Sequence, residues 1–476
     1  MTLTTMHNKT KVLCTIGPSS ESKEVMKKLV EAGMDGIRIN TAHGDFNQYQ
    51  QIINTLRNIT DELPILIDIK GPELRAKLVS SPLILRRNQI ISVGFSQNSG
   101  CDINITYDFF DDIDKGDIIL FYNGLIRTIV KSKNKEKRTL EVKVVTEGTL
   151  ENNKGVNVPH VNLSLPPLSE KDIKALHWCN DNDIDFIALS FTRSKKDLLN
   201  VKKYLKNDVK LIAKIENLQG IKNIDEIIEY SDGIMVARGD LGAEIGIENV
   251  PVIQKKIIQK CINVGNLSIT ATQMLESMIN NPIPTRAEVT DVATAVLDGT
   301  DCVMLSAETA MGRYPVEAVK TMIKICRRIE KEIEPRKIVE EKLKTHVLNT
   351  ISECVTRAIP ELTKAVNASS IVALTRSGYT AIMISRFRLN SHIFAITSNK
   401  KVFRQLNLYF GIKPILMADN LQTISHVAEY LLKQKFVNKN SNVIFSSGTF
   451  KNRSHHSNMI EVHNLAEICK NEKCTT

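Results

Sequence analysis

The chain has 476 residues, 42% of them hydrophobic and 24% charged, which excludes a disordered or fibrous protein and leaves room for about three domains. A formal charge of +10 would suit nucleic acid, an acidic membrane face or small anions, but the basic residues are spread along the chain. Their one cluster, Lys131 to Arg138, has no interleaved aromatics and reads as a solvated hairpin turn, so no nucleic-acid partner is expected.

Nine cysteines are scattered without a CxxC pair or Cys/His ligand spacing, which argues against structural zinc and a disulfide framework. The polar start, Met1 to Thr10, lacks the apolar core of a signal peptide. No apolar run approaches the ~20 residues of a membrane span. A cytoplasmic protein with no membrane partner is the expectation.

In chain order, Lys11 to Thr15 reads as a strand and Ser22 to Ala32 as a helix closed by Gly33. Gly36 to Asn40 is a second strand, Gln48 to Ile59 a second helix, and Pro64 to Ile69 a third strand. This βαβα rhythm predicts a parallel sheet. It breaks after Arg75. From Ala76 to Asn162 short β-type runs dominate, such as Gln89 to Val93, Asp117 to Phe121 and Leu140 to Val145. The rhythm resumes near Ser169, with strands at Phe186 to Leu189, Leu211 to Ile215, Gly233 to Val236, Ser268 to Ala271 and Cys302 to Leu305.

Eight strands in two blocks predict a (β/α)8 TIM barrel interrupted after its third strand by a small β-barrel lid; an open doubly wound sheet is the alternative. A charged helix, Val316 to Ile333, then a linker and a helix near His346 to Ile359, lead to further βα units at Ile371 to Thr375, Ile393 to Thr397, Ile412 to Leu416 and Asn442 to Phe445. The expected domains are therefore barrel over 1–75 and 163–344, inserted β lid over 76–162, and a C-terminal α/β regulatory domain over 345–476.

The active site of such a barrel lies at the carboxyl ends of its strands. Polar residues collect there: Arg38, Asn40 and His43; Asp68, Lys70, Glu73 and Arg75; Lys214 and Glu216; Arg238 to Asp240; Thr272 and Gln273; Ser306 and Glu308. Any one of them alone reads more readily as a solvated loop residue. Together they form a set. Glu216 and Asp240 suit a hard divalent cation, which takes one or two protein carboxylates and completes its shell with water and substrate oxygens. Arg38, Lys70, Arg75, Lys171 and Lys214 supply the positive charge that phosphoryl transfer needs.

Longer motifs now carry a resemblance. Thr10 to Val12 with Cys14 to Ser20, Asp68 to Arg75 (DIKGPELR), Lys214 to Asn217 (KIEN), Asp232 to Gly242 (DGIMVARGDLG), Ala271 to Met278 (ATQMLESM), Pro284 to Glu288 (PTRAE) and Ala295 to Leu305 resemble the pyruvate kinase family, from about Lys9 to Phe450. The resemblance implies phosphoryl transfer from phosphoenolpyruvate to ADP, giving pyruvate and ATP through an enolate that is then protonated. It places Arg38 and Lys214 on the phosphoryl group, with Gly239, Asp240 and Thr272 about the substrate carboxylate. Thr272 would belong to the protonation route, with Ser306 and Glu308 in a water-linked network behind it. Glu216 and Asp240 would hold Mg2+ (or Mn2+). Pro18, Asn40, His43, Arg75 and Lys171 would lie on the nucleotide side.

The resemblance also implies potassium. Asn40, Asp68 and the Ile69 carbonyl remain as ligands, but Ala42 stands where the family has Ser. Glu73 is the residue that accompanies cation dependence, so K+ is expected, more weakly held. The lid's usual DDG reads Tyr122-Asn123-Gly124. Thr375, Ser377, Gly378 and Thr380 are similar to a phosphate-binding effector loop, where a phosphorylated allosteric effector is expected. Trp178 is the only Trp, so the Trp-bearing effector loop of eukaryotic members is missing; its nearest equivalent is Ser446 to Thr449. With no N-terminal extension and no added C-terminal domain, a prokaryotic chain is expected, an archaeal source included, assembled as a homotetramer. A carbon–carbon lyase on the same barrel and a non-catalytic paralogue are the competing readings.

Overall fold

A computed structural model describes residues 8–95, 100–122, 124–206, 208–333, 350–448 and 457–471. Eight parallel strands close a barrel: β1 (Lys11–Thr15), β2 (Gly36–Asn40), β3 (Ile65–Ile69), β4 (Phe186–Leu189), β5 (Lys210–Ile215), β6 (Gly233–Ala237), β7 (Leu267–Ala271) and β8 (Cys302–Leu305). Each is mostly apolar and almost wholly buried on both faces, as strands with helices outside and a packed interior must be, with polar residues such as Lys11, Arg38, Asp68 and Lys214 near their ends. The connecting helices have local reasons to start and stop. Ser22 caps the first helix by accepting from Val25, and Gly33, at φ +103°, ends it in a left-handed conformation that a side chain would strain.

Register sets the site. Asn40 on β2 and Ala188 on β4 both sit level with Asp68 on β3, which places Asp68 at the barrel mouth between its neighbours.

Between β3 and β4 the strands from Ala76–Leu78 to Val156–Asn157 form a seven-stranded sheet and a separate two-stranded sheet with their own apolar core. The basic cluster at 131–138 covers the end of the strand Ile126–Asn134 and the turn at 135–138 that leads into Thr139–Val144. There Arg138 pairs with Asp108 and Asp111. Asn123 lies outside the described residues.

The C-terminal sheet orders as β11 (Ile412–Leu416), β10 (His392–Thr397), β9 (Ser370–Leu374), β12 (Asn442–Ser447) and β13 (Met459–Asn464). The edge strand β13 runs antiparallel to β12 and was not expected from the sequence. Two further expectations are corrected. The charged helix after β8 ends at Ile329 and tightens into a 3-10 turn through Glu332. The helix expected over His346 to Ile359 instead runs Ile351–Ala365, straight through Pro360. A proline inside a helix forfeits one hydrogen bond, but here the apolar face continues past it through Leu362 into the domain core. Positions 346–349, the domain boundary at 344/345, Thr449, Phe450 and Cys474 lie outside the described residues.

Candidate active site

Five side chains from four strand ends meet at the barrel mouth. Asp68, 1% exposed, accepts from Arg38 Nε at 2.9 Å on one oxygen, and from Lys214 Nζ and Ser190 Oγ, both at 3.2 Å, on the other. Lys214 Nζ also lies 2.7 Å from Ser190 Oγ and 3.1 Å from Glu216 Oε1. Arg38 Nη1 donates to Thr15 Oγ1 at 3.0 Å. Burial alone would discharge Lys214, but Asp68 and Glu216 overcome it and hold its pKa above the ordinary lysine value. Burial likewise opposes the charge on Asp68, yet Lys214 and Arg38 win and keep its pKa low. A charged ammonium is thus fixed at the barrel mouth between two carboxylates.

Glu216 is the strained partner. Burial pushes its pKa up to about 7 against the pull of Lys214, and the nearby Asp240 carboxylate adds to the rise. Asp240 is raised as well, chiefly by burial. Two such carboxylates, each costly to keep charged, are a donor set that a hard divalent cation would relieve. Among the described residues no three His, Cys, Asp or Glu side chains could hold a metal by themselves. The fit is to an ion that takes two carboxylates and leaves its other positions to water and substrate oxygens.

Loops hold these groups in place. The Phe191 N–H donates to Glu216 Oε2 at 2.6 Å from a residue at φ +53°. Thr272 and Gln273, at φ +68° and +53°, are also left-handed without being glycine. Arg238 fastens that turn by donating to the Ala271, Thr272 and Gln273 carbonyls while pairing with Asp291 at 2.6 Å. Strain of this kind persists only where its surroundings over-determine it. The Thr272 hydroxyl accepts from Gly239 N–H at 3.0 Å and lies 2.6 Å from the Ala271 carbonyl. Glu308 accepts the N–H groups of Leu275 and Ser306 at 3.0 and 2.7 Å, tying the ends of β7 and β8 together. Ser306 Oγ is buried without a hydrogen-bond partner among the described residues, a place for a water or a substrate oxygen.

The remaining expected residues occupy the rim. Lys171 Nζ donates to the Thr41 carbonyl at 2.9 Å, and Tyr49 Oη to the His43 carbonyl at 2.5 Å. Glu73 bridges Lys70, at 3.3 Å, and Arg75. Pro18 is exposed. Asn40 Oδ1 accepts from Ala42 N–H at 3.1 Å, and the Thr41 hydroxyl donates to the Asp68 carbonyl at 3.0 Å. Ile69 ends β3 beside them.

The 375–380 turn belongs to the separate C-terminal sheet. Its Gly378 N–H is taken by Thr375 Oγ1 at 3.0 Å, and the Thr380 hydroxyl shares a 2.7 Å bond with Ser457; Ser377 is half-buried. Sequence reasoning missed Thr15, Ser190 and Phe191. The signal was present, because Thr15 closes β1 and Ser190 follows β4, the two strand ends the candidate set passed over.

Family models match most of the chain: "Pyruvate kinase, barrel domain" over residues 7–319 and "Pyruvate kinase, alpha/beta domain" over 353–463. A pyruvate kinase of Bacillus licheniformis is 44% identical over 416 residues, 85% of this chain and 71% of the relative. That of Sporosarcina psychrophila is 38% identical, covering 97% of this chain and 81% of the relative. That of Staphylococcus haemolyticus is 39% identical, covering 98% and 82%.

Proposed function

The chain belongs to the pyruvate kinase family and catalyses phosphoryl transfer from phosphoenolpyruvate to ADP, giving pyruvate and ATP; we propose that the cluster of Arg38, Asp68, Ser190, Lys214 and Glu216 is where it does so. The observation that carries this assignment is the buried, charged Lys214 ammonium shared among Asp68, Ser190 and Glu216. Asp68 holds both cations, Arg38 on one carboxylate oxygen and Lys214 on the other. There they would stabilise the charge spread over the phosphoryl oxygens and the charge developing on the enolate oxygen.

Glu216 and Asp240 would hold Mg2+ or Mn2+, which when bound supplies Lewis-acid stabilisation of the same oxygens. Gly239 N–H and the Thr272 hydroxyl, 3.0 Å apart, would meet the substrate carboxylate, and Thr272 with Ser306 would lead a proton to the enolate. Glu308, with its oxygens on backbone N–H groups, keeps those two loops in register. Pro18, Asn40, His43, Arg75 and Lys171 would face the nucleotide, and the β lid would exclude water while ADP accepts the phosphoryl group. The same reading places a phosphorylated effector at Thr375, Ser377, Gly378 and Thr380, and four copies of the chain in the assembly.

The test is a coupled assay of pyruvate formed from phosphoenolpyruvate and ADP. Turnover that requires Mg2+, and a severe loss in Glu216→Ala with a raised Mg2+ requirement, is expected. An inactive wild type, or a Glu216→Ala variant that turns over normally, overturns the assignment.

A further inference from the structure

The four residues Ser190 to Arg193 join two places that the proposed mechanism treats separately. At the first end, Ser190 Oγ touches Lys214 and Asp68, and the Phe191 N–H holds Glu216. At the other end the Arg193 guanidinium reaches the chain returning from the lid. Its Nη1 donates to the Leu163 carbonyl at 3.0 Å and its Nη2 to the Leu165 carbonyl at 2.9 Å. Asp197 accepts the Arg193 backbone N–H at 2.9 Å and pairs with the guanidinium at 3.2 Å, so the fork is aimed and not free. The Asn223 amide donates to the Arg193 carbonyl at 2.8 Å.

On its lid side the return segment is held by Ser164, whose N–H and hydroxyl both donate to Asp112, at 2.7 and 2.9 Å, and by Val161, Leu163 and Leu165 against the lid core, so Arg193 links a segment that moves with the lid to the barrel. A cavity open to solvent separates it from the barrel, lined by Pro72, Leu74, Val158, Leu163, Phe191 and Leu218. Pro72 and Leu74 belong to the outgoing connection of the lid and Val158 and Leu163 to the returning one, and Arg193 lines the same cavity. The long contact from Asn157 Nδ2 to Glu244, at 3.4 Å, is weak by comparison. Phe191, in the left-handed region, is held between Glu216 and the anchored Arg193. A bidentate arginine fixes position and angle together, which lysine cannot do.

We propose that Arg193 is a positioning residue that couples the lid to the metal-binding carboxylate: it ties the lid's return segment to the turn whose N–H group holds Glu216. Movement of the lid then shifts the 190–193 turn, and an ordered Glu216 favours one lid position. The inference rests on the pyruvate kinase reading of the site.

The experiment uses the full chain with Arg193→Lys and Arg193→Gln. It reads kcat, the half-saturating Mg2+ concentration, the thermal midpoint, and the protection of the lid from protease by Mg2+ with phosphoenolpyruvate. The expected result is a fall in kcat of about tenfold or more with a several-fold rise in half-saturating Mg2+. Ligand protection of the lid is lost while the thermal midpoint stays near that of the wild type. Values of kcat and half-saturating Mg2+ within twofold of wild type in both variants overturn the proposal. So does a loss that vanishes when activity is normalised to folded protein. If neither variant folds, Asp197→Asn takes their place, removing the charge that aims the Arg193 guanidinium at the Leu163 and Leu165 carbonyls; a raised Mg2+ requirement with lost lid protection supports the coupling and unchanged values refute it. An inactive wild type would instead sink the family's reaction at this site, a distinct outcome.

Discussion

At the amino-end face of the barrel, Asp35, Asp185, Asp232 and Asp301 stand immediately before the even-numbered strands β2, β4, β6 and β8. Each accepts a backbone N–H from the neighbouring odd strand: Val12, Ile65, Leu211 and Ser268, at 2.8 to 3.0 Å. Each also meets a cation, Lys11, Arg404, Lys210 and Arg388 respectively. At the carboxyl-end face Asp68 and Glu216 are buried and Asp240 is half-buried. Burial raises the pKa of Glu216 and Asp240 there, as it raises Asp35 and Asp185 at the amino end, but Glu216 also faces a second carboxylate, Asp240, and the Ser306 hydroxyl has no hydrogen-bond partner among the described residues. One ring of charge is completed by the protein itself and seats the C-terminal domain through Arg388 and Arg404. The other, on the function proposed above, would be completed by the metal ion and the substrate. Changes at the carboxyl-end face should therefore cost catalysis, and changes at the amino-end face should cost folding.

The largest effect tests the carboxyl-end side of that contrast. Lys214→Met removes the ammonium between Asp68, Ser190 and Glu216. Turnover should fall by about 10³-fold or more, while phosphoenolpyruvate binding stays measurable by calorimetry in the presence of Mg2+. Near-normal turnover would mean that the incomplete ring is not the reaction centre.

The amino-end face should behave in the opposite way. Arg388, 2% exposed, pairs with Asp301 at 2.9 Å and donates to the Gly299 carbonyl at 2.8 Å. Arg388→Met leaves a buried carboxylate without its cation, a defect of about 3–5 kcal/mol in comparable pairs. Denaturant unfolding should show that loss, and the folded fraction should retain its kcat. A variant with full stability and poor turnover would break the contrast.

The two faces also differ in how far the sequence discloses them. Strand ends rich in Arg, Lys, Asp and Glu stand out because a barrel has one functional face, so the sites of Arg38, Lys214, Glu216 and Asp240 are legible as a set. The four aspartates before alternate strands are equally regular, yet an Asp before a strand reads as an ordinary turn residue. Only the closed barrel shows that it caps the neighbouring strand. Arg404 had no local signal at all, since its partner Asp185 lies 219 residues away in sequence. The edge strand β13 was missed because Met459–Asn464 is half-exposed and lacks the unbroken apolar run of its neighbours.

The smallest effect concerns a neutral ligand at the carboxyl-end face. Ala42 offers no side-chain oxygen, and the Thr41 hydroxyl beside it is occupied by the Asp68 carbonyl. Asn40 Oδ1 and the Ile69 carbonyl each accept one N–H, from Ala42 at 3.1 Å and Ser190 at 3.3 Å, and each has a second lone pair that a monovalent cation could use, with Asp68 held in place by Arg38 and Lys214. Glu73 argues that the cation is still wanted. It is shared between Lys70 and Arg75, and a nucleotide drawing either of them towards its phosphates leaves the carboxylate short of positive charge. A whole unit of charge outweighs one neutral ligand, so the need for the cation survives while its binding weakens. Potassium should therefore activate the enzyme, and Ala42→Ser should lower the half-saturating concentration by about two- to fivefold, less than about 1 kcal/mol. The titration replaces tetramethylammonium chloride with potassium chloride at constant ionic strength. Full activity without potassium would refute the dependence. Equal midpoints in wild type and Ala42→Ser would show that position 42 faces away from the cation, and that this part of the carboxyl-end face is already complete.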